Sequence, residues 1–113
     1  MKPVVLRGLS AALLFCLVAV STVEVQAADP LTARQRELVR MVRQDCGSCH
    51  GMTLQGGLGP ALLPAELKDK PVEGLAATIY YGRPGTAMPP WQRFLNEAEA
   101  HWIAERLMTE FPQ

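Results

Sequence analysis

The stretch Cys46-Gly47-Ser48-Cys49-His50 constrains this chain more than any other. Two thiols three positions apart, followed at once by an imidazole, form the C-x-x-C-H pattern through which a c-type haem is attached. The thiols add to the haem vinyl groups as thioethers, and the histidine is placed to ligate the iron. Two other chemistries use paired cysteines. A thioredoxin-like dithiol wants a βαβ setting, and no alternating, β-branched run flanks this site. A structural zinc ion wants four ligands, yet beyond Cys46, Cys49 and His50 the chain offers only Cys16 and His101. One covalent haem c, with His50 as an axial ligand, is therefore the expectation.

The amino end reads as a leader. Lys2 and Arg7 form a short basic region, residues 9–20 are almost wholly apolar, and Val25-Gln26-Ala27 ends in a small-x-small pattern. The apolar run falls short of the ~20 residues that a spanning helix needs, which favours a cleaved signal peptide at residues 1–27 over a retained anchor. Acylation at Cys16 is disfavoured because Phe15 stands where a small residue is required. Cleavage after Ala27 turns 113 residues into 86, a single domain over residues 28–113. Only Cys46 and Cys49 remain in it, so no disulfide framework is possible once haem is attached. Export across the bacterial inner membrane to the periplasm follows. So short a chain has little core of its own, and the haem-free protein is expected to be largely unfolded.

Charge excludes one class of partner. Of 11 basic and 11 acidic residues, the leader takes Lys2, Arg7 and Glu24, leaving nine against ten. No nucleic-acid face is expected from such a balance. Arg34, Arg36, Arg40 and Arg43 cluster early, either as a solvated helical face or as a docking patch for an acidic redox partner.

Thr32 as N-cap with Gln35 three residues on predicts a capping box, and Leu38, Val39, Met41 and Val42 make an apolar stripe, so a helix is expected over residues 33–45. Met41 lies on the stripe and reads as core. Four glycines among residues 51–60 predict an irregular loop in which backbone can approach a flat ligand. One helical turn is expected from Pro64, then a helix with Pro71 at N1 and Gly82 as its stop. Gly74 within that helix suggests close packing. Asn96 with Glu99 predicts a last helix over residues 97–109.

Between the last two helices lies Arg83-Pro84-Gly85-Thr86-Ala87-Met88-Pro89-Pro90-Trp91, too rich in proline for regular structure. Met88 is the candidate second axial ligand. Its thioether is a soft donor that favours ferrous iron, and a proline-stiffened loop lowers the entropy lost in holding it. Met52, Met108 and His101 are rivals: Met52 would need a sharp return, Met108 sits where core packing is commoner, and His101 would make a bis-histidine haem. Trp91 and Arg83 flank the loop. Each could hydrogen-bond a haem propionate; otherwise Trp91 fills the core and Arg83 faces water.

These features together resemble the class I c-type cytochromes. The haem motif, Gly59-Pro60-Ala61-Leu62 and Met88-Pro89 occur in the order and spacing of that family, over essentially the whole mature chain. The resemblance implies an all-α fold of three to four helices wrapped around one covalently bound haem, with the first and last helices crossing near a haem edge. It also implies that the Pro60 carbonyl accepts a hydrogen bond from His50 Nδ1, that Leu62 packs on the haem face, and that Met88 is the sixth ligand. More narrowly, the stretch from Tyr80 to Trp91 is similar to the ligand loop of the small cytochrome c55X group, found with cytochrome cd1 nitrite reductase in denitrifying bacteria.

That resemblance implies a monomeric electron carrier rather than an enzyme. Its partners would be redox proteins: the nitrite reductase, or an enzyme of haem d1 biogenesis. The alternatives are a haem protein that binds or converts a small ligand after losing its sixth ligand, and an accessory protein dedicated to haem d1 maturation.

Overall fold

Thr32 opens the first helix with the pair of hydrogen bonds its sequence predicts. In the computed structural model, which describes residues 30–113, Gln35 N–H donates to Thr32 Oγ1 (3.1 Å) and Thr32 N–H to Gln35 Oε1 (2.9 Å). The expected signal peptide at residues 1–27, Cys16 included, lies outside the described residues. All regular structure among the described residues is helical.

Helix α1 (Ala33–Met41) does not stop where expected. It continues through a π-helical turn, Val42–Cys46, into α2 (Gly47–His50), giving one unbroken helical path that ends at Gly51 with φ +88°. The expectation of a helix over residues 33–45 is thus corrected. Nothing within the motif breaks a helix, and the only added cost is about 1 kcal/mol for Gly47.

Short helix α3 (Pro64–Leu67) has Pro64 in its first turn, and α4 spans Val72–Tyr81. Pro71 is the N-cap of α4, not its first helical residue, because its ψ of 134° is extended. Gly74 is exposed, and a Cβ there would meet only the Pro71 ring, at 3.2 Å, so the expected close packing is absent. Helix α5 (Glu97–Met108) starts with the second capping box: Glu99 N–H donates to Asn96 Oδ1 and Asn96 N–H to Glu99 Oε2, both at 2.9 Å.

One apolar cluster joins these pieces. Leu38, Val39 and Val42 from the first helical path, Leu54, Leu67, Ala76 and Leu95 share it with Ala100, Ile103, Ala104 and Leu107 of α5 and with Phe111. The fully buried Ala100 and Ala104 let neighbouring backbone come close to α5, and α4 packs against α5 most extensively. Each buried Leu or Ile contributes about 1.5–3 kcal/mol.

Two arginines tie the ends of the chain together. Arg34 holds Glu99 at 2.7 and 3.1 Å and donates to Phe94 O at 2.8 Å, while Arg43 donates to Pro112 O (2.8 Å) and Phe111 O (3.2 Å), its guanidinium 5.3 Å from the Phe111 ring centre. Arg36 donates to the Leu31 carbonyl. Of the four clustered arginines, only Arg40 has no partner among the described residues. No described helix is long and apolar enough to cross a membrane.

Candidate functional site

The helical path through the motif sets Cys46 and Cys49 one turn apart, where residues at i and i+3 are neighbours on a helix surface. Both are free thiols. Cys46 is half-buried, and its thiol is pushed up to about 11, chiefly by burial and secondarily by the Asp45 carboxylate; Cys49 is exposed. Ser48 Oγ, between them, donates to Asp45 O at 2.6 Å.

The glycine-rich loop caps this helix from outside. The orphan carbonyls of Cys49 and His50 accept Gly59 N–H and Gly56 N–H, each at 2.8 Å. Gly59 can do this only because it lacks a side chain: a Cβ there would stand 2.8 Å from His50 Cε1 and Nδ1. The same approach brings Pro60 O to 2.6 Å from His50 Nδ1. A carbonyl only accepts, so Nδ1 carries the proton and Nε2 keeps the lone pair a metal needs.

Leu54 supports this loop, and its role was not visible in the sequence. It is 2% exposed, holds a left-handed φ of +62°, donates its N–H to Gly51 O and accepts Leu62 N–H, both at 2.8 Å. Leu62 packs half-buried on the core.

Met88, Arg83 and Trp91 gather at the other end of α4. Arg83 N–H donates to Met88 O at 3.2 Å, and Trp91 N–H is shared by the Ile79 and Tyr80 carbonyls, each at 3.2 Å. Gly82, with φ +71°, lies against the returning segment of the loop; a Cβ on it would stand 2.7 Å from Pro90 N and 2.9 Å from Met88 O. Met88 is half-buried. Trp91 packs on the core, its ring centre 5.7 Å from that of the exposed Phe94, and Arg83 is exposed.

The rivals of Met88 have other surroundings. His101, its side chain 41% exposed, sits 3.7 Å from Glu105 in the groove between α4 and α5. Met52 is 61% exposed and folds back beside Gly47 of α2, and Met108 packs on the core. Among the described residues no three of His, Cys, Asp and Glu are grouped to hold a metal ion. Two thiols one helical turn apart, an imidazole with its tautomer fixed and a half-buried thioether in a clasped loop are a donor set that fits a c-type haem.

Comparison with known proteins agrees. Residues 33–105 match the family model described as cytochrome c oxidase, cbb3-type, subunit III. Cytochrome c55X of Pseudomonas aeruginosa is 53% identical over 79 residues, 70% of this chain and 66% of that protein. Cytochrome c55X of Paracoccus denitrificans is 50% identical over 97 residues, 86% of this chain and 91% of that one. The solved structure of the c-type cytochrome NirC aligns with a TM-score of 0.70 at 49% identity, covering 74% of this chain and 100% of its own. A segment of the dihydro-haem d1 dehydrogenase of Pseudomonas aeruginosa is 38% identical over 73 residues, 65% of this chain and 15% of that protein. Covalently bound haem c is the cofactor of such cytochromes, and this chain belongs to the cytochrome c55X, or NirC-type, family of class I c-type cytochromes.

Proposed function

We propose that this protein is a periplasmic, monohaem carrier of single electrons in denitrification. Cys46 and Cys49 would hold one haem through two thioether bonds, and His50 and Met88 would ligate its iron. When bound, the haem supplies a one-electron ferric/ferrous couple. The observation that carries this reading is the 2.6 Å contact of His50 Nδ1 with Pro60 O, which prepares Nε2 as a ligand and raises its basicity. The two clasped loops hold the imidazole and the Met88 backbone in place, so both side chains would be available to a bound haem and electron transfer would need no substrate at the iron. Leu62 and Trp91 supply apolar surface at the site, and Arg83 is available to a propionate from its exposed position.

The partner belongs to the cytochrome cd1 nitrite reductase system. The related cytochromes c55X and the shared segment in the dihydro-haem d1 dehydrogenase support that placement. The dehydrogenase segment also favours a second reading, in which electrons pass to or from the enzymes that make haem d1. A deletion strain separates the two: slowed nitrite reduction by an enzyme with its full haem d1 content supports electron supply, whereas a nitrite reductase lacking haem d1 supports the biosynthetic role. Normal nitrite reduction with normal haem d1 would remove the protein from this system.

A further inference from the structure

The tip of the Met88 loop is not held by packing. Pro84, Gly85, Thr86 and Ala87 are all exposed, and a Cβ on Gly85 would meet nothing within 4 Å. Hydrogen bonds must therefore do what side-chain contacts do elsewhere, and they converge on one hydroxyl. Thr86 Oγ1 donates to Arg83 O at 2.7 Å and accepts Met88 N–H at 3.3 Å; Thr86 N–H also donates to Arg83 O, at 3.1 Å. With Arg83 N–H on Met88 O, both backbone polar groups of Met88 are tied inside its own loop.

We infer that the Thr86 hydroxyl is a positioning residue that keeps Met88 available as an axial ligand, by bridging the Arg83 carbonyl to the Met88 amide. This rests on the reading of Met88 as ligand. A side-chain hydroxyl that donates three residues back and accepts two residues on is a local clasp. Valine has nearly the same shape as threonine but lacks the hydroxyl, so Thr86→Val opens the clasp with little change in volume. With one restraint fewer, the loop would let the Met88 sulfur spend longer away from a haem iron.

The test uses the matured holoprotein in its ferric state. Cyanide binds ferric iron only after the sixth ligand leaves, so its binding rate reports how often Met88 is away. Loss of the bridging hydroxyl is expected to raise that rate about fivefold to tenfold. Thr86→Ser, which keeps the hydroxyl, should return it to within about twofold of wild type, and the denaturant midpoint of Thr86→Val should stay near wild type because the residue is exposed. Thr86→Ala serves as a second hydroxyl-free variant if the valine form does not mature. Met88→Ala is the reference for the ligand itself and should abolish the sulfur-to-iron charge-transfer band. If Met88→Ala loses the band while both hydroxyl-free variants bind cyanide at the wild-type rate, the clasp is refuted and the ligand assignment stands. If Met88→Ala keeps the band, the ligand assignment fails first.

Discussion

His50 Nδ1 and the carbonyl oxygen of Pro60, ten residues apart, meet at 2.6 Å. The contact is a consequence of how α2 ends. Its last carbonyls must be satisfied from outside, the glycine loop supplies Gly56 N–H and Gly59 N–H for that purpose, and the chain then passes the imidazole so closely that the next carbonyl accepts a hydrogen bond from its Nδ1–H. Ending the helix and orienting the imidazole are one structural event.

Gly59→Ala should break both at once. The added methyl stands 2.8 Å from the imidazole ring, closer than any real contact, so ring or loop must shift. A loss of about 1–3 kcal/mol is expected, read by denaturant unfolding of the holoprotein, together with a changed ferric spectrum. A variant with wild-type stability and spectrum would show that the loop does not press on His50.

Gly82→Ala tests the other loop. Alanine pays for a φ of +71° by about 1–2 kcal/mol, and its Cβ collides with Pro90 N and Met88 O. The charge-transfer band assigned to Met88 ligation should weaken or vanish while the haem stays covalently attached. An unchanged band would mean that Gly82 does not set the position of Met88.

Some of this was legible in the sequence. Both capping boxes, Thr32 with Gln35 and Asn96 with Glu99, work as their residue types predict, because capping depends on side chains three positions apart. The haem motif and the glycine loop were equally plain. The π-helical turn at Val42–Cys46 has no residue signature; it is a matter of which carbonyl each N–H selects. Leu54 was missed because a leucine seldom takes a positive φ, and only the buried site under the loop makes that conformation worth its cost. Apart from Glu37, one helical turn on from Arg34, the partners of Arg34 and Arg43 lie 60 to 69 residues away, and no local pattern points to them.

Leu54→Ala follows from that omission. Removing a side chain that is 2% exposed from beneath the loop should cost about 2–5 kcal/mol, measured by urea unfolding. A cost below about 0.5 kcal/mol, typical of a surface site, would deny Leu54 its anchoring role.

Acid should loosen the junction of α1 and α5. Arg34, through its hydrogen bonds, holds the Glu99 carboxyl below the usual carboxylate range, and Asn96 N–H adds to the effect. A group whose folded pKa is depressed stabilises the fold at pH values above its unfolded pKa, about 4.3 for Glu, and loses that contribution as pH falls through the folded value. Glu99→Gln should therefore be less stable than wild type near neutrality, and the gap in urea midpoint should close on acidification below about pH 4. A gap independent of pH would assign the loss to the altered cap alone.

The central claim is that one haem, fixed by Cys46 and Cys49, is axially ligated by His50 and Met88. The absorption spectrum of the purified, oxidised holoprotein tests it most directly. A low-spin ferric haem with the weak long-wavelength band of sulfur bound to iron is the predicted result; a colourless protein, or a high-spin spectrum without that band, would contradict it.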